Sequence, residues 1–577
     1  MDENLNLAAV YDLVIVGSGG GSMAAALVAK SLGKSAVIFE KQACIGGSTA
    51  YSGGVWWVPN NPLLAETGIA DSYEKSREYF DSVVTYRGPA VTAQRRDAFL
   101  KAGPHMVTFL RGLGMKFRRP YEDWPDYYDE LPGGLPEGRS LLAEPFNLRE
   151  LGPWKEHLAI YGPLEYMPIS AEEFTTLFLL KRTFRGKVKA VKYAWLMMRD
   201  KLTGRQTVTN GGAIQGRMLQ IGLREGLQIF RNTPVKSLLL EKDRVAGVVV
   251  QHDGRAVEVR ARGGVIVNAG GYAHNEEFRR VHGREPVREE WTNANPGDTG
   301  EILQLMMDLG AATDCLDAAW WVITSQNVNG DWPEGAVWPG GRVYRFMHHL
   351  DLSLPHSIMV DHDGCRFCNE AGAYMEIGER MLDRHRETGR AVPAWVVFDK
   401  RHRDWYPWGT QPPGKTPRSW IESGYMKKSD TLDELATQCG IDTTGLRAQV
   451  DRYNGYCRTG HDPEFNRGGR AFDRTHGDPT VTPNPNLGPI EQGPFYAVAM
   501  YPADVGTAGG VVTDEFARVK RQDGRIIEGL YAIGNAAAPI FGRCYPGAGA
   551  SIGASFTFGF IAAHHSAGSS TLAELLA

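Results

Sequence analysis

"YDLVIVGSGGGSMAAALVAKSLGKSAVIFEK", residues 11–41, decides the fold. Leu13 to Val16 is an apolar run with the character of a buried strand, Ala24 to Leu32 reads as a helix, and Ser35 to Phe39 reads as a second buried strand ending at Glu40. Strand, glycine turn, helix and strand make a βαβ unit. Gly17, Gly19 and Gly20 leave the turn backbone bare, so that it bends sharply and approaches a pyrophosphate held on the helix N-terminus. Glu40, 23 residues beyond Gly17, is placed to accept from a ribose hydroxyl. Ser22 stands at the third glycine position, where a small side chain is tolerated.

The chain around this unit has 577 residues, 42% of them hydrophobic, enough for two or more domains with large cores. A net charge of −4 argues against nucleic-acid binding, which needs a dominant basic surface. The seven cysteines are odd in number and dispersed, which fits free thiols in a reducing cytoplasm. Cys365 and Cys368 have CxxC spacing, but no second ligand pair accompanies them, so the spacing reads as incidental to a hairpin and no metal is expected.

Further along, "CIGGSTAYSGG" follows Glu40 and supplies Gly46, Gly47, Ser48 and Gly53, an uncluttered backbone for a broad isoalloxazine ring. "GGVIVNAGGY" (263–272) and "IIEGLYAIGN" (526–535) are two more apolar strands ending in Gly or Asn. Together these segments resemble the FAD-binding parts of the glutathione-reductase-like flavoproteins, within the fumarate-reductase and 3-ketosteroid-dehydrogenase superfamily. The resemblance implies an α/β fold: a split Rossmann FAD-binding domain at 1–290 and 483–577, with an inserted α+β substrate domain at 291–482. It places Gly270, Gly534, Asn535, Ser551 and Ile552 on the cofactor as well. Gly46 to Gly54 contains no His, so the FAD is expected to be non-covalent.

"PDYY" (125–128), "NEAGAY" (369–374) and "YPGAGASIG" (545–553) resemble, in order and spacing, active-site motifs of the 3-ketosteroid Δ1-dehydrogenases. The resemblance implies Tyr374 as general base, Tyr127 (or its neighbour Tyr128) as its hydrogen-bonding helper, and Tyr545 with the Gly549 N–H as the pair gripping the steroid C3 carbonyl. Phenols suit this chemistry, because neutral donors aimed at a developing enolate oxygen survive in an apolar pocket where a bare Lys would be costly. The expected reaction is FAD-dependent 1,2-desaturation of ring A of a 3-ketosteroid of androst-4-ene-3,17-dione or cholest-4-en-3-one type. A quinone or another acceptor then takes the electrons. A desaturase of another cyclic ketone, such as 4-oxocyclohexanecarboxylate, and a Δ4-(5α)-ketosteroid dehydrogenase are the enzymatic alternatives; a flavin-holding carrier is the non-enzymatic one.

Residues 174–205 carry nine Lys or Arg against Asp200 alone, with Leu177, Leu180, Phe184, Val188, Val191, Trp195 and Met198 at helical spacing. Two readings stand: the apolar face packs on the FAD domain with a solvated basic face, or it lies on an anionic membrane. No run of 18 apolar residues spans a bilayer, so the expected location is cytoplasmic, with peripheral contact on the inner membrane as the second reading.

Overall fold

The computed structural model describes residues 7–160, 168–337 and 343–576. The opening βαβ unit forms as Val10–Val16, Gly20–Ser31 and Ala36–Phe39. Val14 pairs in parallel with Val37 on one side and with Val265 on the other. Such a strand is covered on both faces, which is why it is apolar without alternation. Arg255–Val267, Ile526–Ala532 with Arg518–Lys520 antiparallel on its edge, Gln228–Phe230 and an antiparallel hairpin, Val235–Glu241 with Arg244–His252, extend this sheet to eight strands. The helix Ala550–Ser566 crosses back to pack on Gly20–Ser31, so the last segment of the chain closes the first.

A six-stranded antiparallel sheet forms the second core: Phe346–Met347, Ala319–Ser325, Phe495–Thr507, Ala394–Phe398 and Ser357–Val360 in order, with Met426–Ser429 also on Phe495–Thr507. The pairing draws the division between domains differently from the expected boundaries at 290 and 482. Helix Glu301–Asp308 contributes Ile302, Leu303 and Met306 to the core of the nucleotide sheet, while Phe495–Thr507 is the central strand of the second sheet. We therefore propose that the inserted domain runs from about Ala312 to about Thr507.

The basic stretch forms two helices, Glu173–Phe178 and Phe184–Thr203. In the longer one Gly186, Tyr193 and Asp200 face the protein, and the apolar stripe does not: Phe184 and Leu202 are both 81% exposed and Val191 70%. The reading in which this stripe packs on the FAD domain is corrected accordingly. Among the described residues no helix is long and apolar enough to cross a membrane. The seven cysteines are free.

Candidate active site

One cavity of about 1050 Å³ runs from the glycine turn to the phenols. That exceeds the ~300–1,000 Å³ of a site for one drug-sized ligand. At one end lie Gly17, Ser18 and Gly19 and the start of helix Gly20–Ser31. Glu40, buried on the floor, accepts from the Ser18 N–H at 3.0 Å and hydroxyl at 2.6 Å, and from the Gln42 N–H at 2.8 Å. Its carboxylate thereby fixes the turn as well as facing the cavity. Gly47, Ser48, Gly53, Gly270, Gly534, Asn535, Ser551 and Ile552 also line the space.

Gly20 and Gly46 do not line it, contrary to expectation. A Cβ on Gly20 would lie 1.9 Å from the Phe556 ring, so this glycine serves the crossing of the first and last helices. The Gly46 N–H donates to the Ser18 hydroxyl at 2.9 Å and its carbonyl accepts from Gln215 at 3.0 Å, which makes it a strut of the turn.

At the far end Tyr127, Tyr374 and Tyr545 converge from three distant segments, their ring centroids 5.6–5.9 Å apart. Tyr127 and Tyr545 flank Tyr374, their ring centroids 5.7 and 5.6 Å from its own. Tyr374 is the first residue of helix Tyr374–Thr388. The residues before it lock that helix start: Glu370 pairs with Arg366 at 2.7 Å and Arg467 at 3.2 Å, and Asn369 donates to Asp473 at 2.9 Å. Burial opposes the Glu370 charge, yet the two guanidinium groups hold its carboxyl down to about 2. Asp126, which pairs with Arg139 and accepts from the Trp57 indole, does the same for Tyr127. Tyr128 is turned away from the cavity, under the Arg470 guanidinium at 4.9 Å.

Tyr545 accepts from the Ser551 N–H at 3.4 Å and shares a 3.0 Å hydrogen bond with the Ser551 hydroxyl. Gly549 sits at φ +88°, and a Cβ there would fall 2.0 Å from the Val55 carbonyl oxygen. Only glycine fits that approach. Burial raises all three phenols above the ordinary tyrosine value, Tyr374 the most firmly because the other two phenols add to it. All three therefore carry their protons at neutral pH.

Several lining residues have no sequence signal. Asp298 accepts from Ser48 at 3.1 Å, and burial pushes its carboxyl up to about 7. Trp320 donates to Asn535 at 2.9 Å and packs on Tyr545 at 5.1 Å. Phe472 lies 4.4 Å from Tyr127, and the His349 ring is edge-on to Tyr374 at 5.9 Å. Each reaches the cavity only through tertiary folding, and none sits in a motif.

The donor set fits a flavin dinucleotide: backbone N–H groups at a helix start, a carboxylate for a ribose, and a continuous channel from there to the phenols. A family model described as an FAD binding domain matches residues 12–552. A 3-oxosteroid 1-dehydrogenase of Mycolicibacterium smegmatis is 38% identical over 96% of both chains. This chain belongs to the 3-oxosteroid 1-dehydrogenase family of FAD-binding flavoproteins. The crystal structure of a family member, the 3-ketosteroid delta1-dehydrogenase from Sterolibacterium denitrificans in complex with 1,4-androstadiene-3,17-dione, superposes with a TM-score of 0.88 at 35% identity, covering 97% of this chain and 100% of that one. A 4-oxocyclohex-2-ene-1-carboxylate 5-dehydrogenase of Sinomonas cyclohexanicum is 32% identical, over 95% of this chain and 92% of its own. FAD is the cofactor, and the glycine-turn end of the cavity carries the groups that fit it.

Proposed function

We propose that the protein desaturates the C1–C2 bond of ring A in 3-ketosteroids. The observation that carries this reading is the convergence of three buried phenols and the Gly549 helix start at the end of the FAD cavity. FAD, when bound, accepts the hydride that leaves C1. Tyr545 and the Gly549 N–H donate to the C3 oxygen, and the C2 proton goes to Tyr374, leaving a C1=C2 double bond. Because burial keeps Tyr374 protonated, it accepts that proton only by passing on its own. Tyr127 is the phenol packed edge-on against it, and His349, whose imidazole burial keeps neutral, offers a basic lone pair on the same wall. Dry walls strengthen each of these dipoles.

The walls favour a steroid over a small keto acid. Phe174, Phe178, Phe346, Met347 and Leu350 line the cavity, and the lysines on its lining, Lys41 and Lys236, lie on nucleotide-sheet segments. Among the described residues no Arg lines it, so a substrate carboxylate has no bidentate partner there. Anaerobic addition of a 3-ketosteroid should bleach the flavin and yield the 1-ene product. An enzyme bleached by 4-oxocyclohexanecarboxylate and indifferent to steroids would assign the substrate to the second class, and one bleached by neither would be a carrier.

The exposed stripe Phe184, Val188, Val191, Trp195, Met198 and Leu202 supports a further part of the reading, peripheral contact with an anionic membrane. Exposed Lys187 and Lys192 flank it, and Phe174 and Phe178 of the preceding helix line the cavity, so a lipid-dissolved steroid or quinone acceptor arrives beside the mouth. Salt-sensitive co-sedimentation with phosphatidylglycerol vesicles is expected; no binding at low salt would refute it.

A further inference from the structure

A second, small recess of about 30 Å³ adjoins the main cavity. Trp320, Gly534, Asn535, Ser551 and Ser555 line both it and the main cavity, so a single layer of residues separates the two. Arg95 lines its far side, 2% exposed, in the first turn of helix Ala93–Gly112. Its guanidinium donates to the carbonyls of Ala90 and Ala538 and lies 5.3 Å from the Phe558 ring centroid, but Nε has no partner. Among the described residues no carboxylate comes within 4.0 Å of it.

A buried charge normally brings its counter-ion with it, because desolvating an unpaired ion costs several kcal/mol. Burial lowers the Arg95 guanidinium only to about 10, so the cation persists at neutral pH. Two helix starts, at Ala93 and Ala550, add their positive ends to the same region. Asp314, which accepts from the Ala90 N–H, and Asp514 act on this charge from a distance, so it is held without a direct ion pair beside the wall of the FAD cavity. Glu40 fixes the ribose end of the cofactor at the opposite extreme, so the ring that exchanges electrons has to lie toward Tyr545, Ser551 and Asn535.

We propose that Arg95 is the counter-charge for the reduced flavin: a positioning residue that touches neither substrate nor base and sets the reduction potential of the bound FAD through the Asn535–Ser551 wall. Reduction by hydride transfer puts negative charge on the ring, and the cation waiting behind the wall stabilises that state relative to the neutral oxidised one. The inference rests on FAD binding and not on the identity of the ketone.

The test is a spectroelectrochemical titration of the holoenzyme, which needs no substrate. Arg95→Gln should disfavour reduction at least tenfold, about 30 mV for a two-electron couple, and should weaken sulfite binding to the flavin to a similar degree. Arg95→Lys, which keeps the charge, should recover most of both. A glutamine variant that holds FAD at the wild-type potential, or a lysine variant shifted as far as the glutamine one, would overturn the proposal. Should Arg95→Gln fail to fold or to hold FAD, the wild-type potential itself decides: between pH 6 and 8 it should fall by about 30 mV per pH unit, the slope of one proton per two electrons. Twice that slope would mean the reduced ring is neutral and has no counter-charge to need.

Discussion

The two ends of the cavity are built in opposite ways. The nucleotide end is backbone: one turn, one helix start and one carboxylate within 30 residues, with Glu40 reaching back to Ser18. The phenol end is side chain: Tyr127, Tyr374 and Tyr545 come from three segments far apart in the chain, the first two held beside the buried carboxylates Asp126 and Glu370 and the third by Ser551. Chemistry that recognises a common ligand is local, and chemistry that chooses a reaction is assembled by the tertiary fold.

If that contrast is right, a lesion at the phenol end should spare cofactor binding and stop turnover, and the strongest is Tyr374→Phe. Flavin reduction should fall by ~10²–10⁴, the cost of losing a general base, with steroid affinity retained. Stopped-flow reduction and a steroid-induced spectral shift separate the two; loss of both together would make Tyr374 a binding group. Next is Glu370→Gln, which leaves Arg366 and Arg467 facing a neutral amide and should cost about 3–5 kcal/mol of stability, read as a fall in Tm. The sign with pH follows from the folded carboxyl lying at about 2, below its ordinary 4.5. Its stabilisation is present above 4.5 and is lost as pH falls from 4.5 toward 2, so acid should close the gap between variant and wild type. A gap that widens in acid would remove Glu370 as the anchor of the Tyr374 helix.

Tyr545→Phe should cost roughly 10²–10³ in the reduction rate with some loss of affinity, since its hydroxyl meets an oxygen more charged in the transition state than before it. A pure affinity loss at unchanged limiting rate would place the carbonyl elsewhere. The smallest effect belongs to the nucleotide end. Glu40→Gln removes one charge-assisted acceptor of about 1.5–3 kcal/mol and should raise the FAD dissociation constant at least tenfold, leaving reduction of the loaded enzyme unchanged. In every variant acid precipitation should release the flavin, because the cavity segment 46–54 offers no His for attachment; flavin on the washed pellet would show a covalent bond.

The same contrast explains what the sequence made readable. The βαβ unit stood out because strand, turn, helix and acid are contiguous, and the residues of Gly17 to Glu40 predict their own geometry. The phenols were readable only through motif resemblance, and nothing in composition separates them from the other tyrosines among 22. Gly20 shows how a glycine needed for a ligand and one needed to clear Phe556 look alike along the chain. The helix Phe184–Thr203 had an apolar stripe whose period was plain, but period does not say which face is covered. Asp298, Trp320 and Arg95 were invisible because only the tertiary fold brings each to the wall of a cavity.

One feature of the phenol trio reaches beyond rate. Tyr127 and Tyr545 belong to the core of the FAD-binding part, whereas Tyr374 packs against that core and against the core of the inserted domain as well. The trio therefore spans the seam between the two cores, and its geometry depends on how they pack.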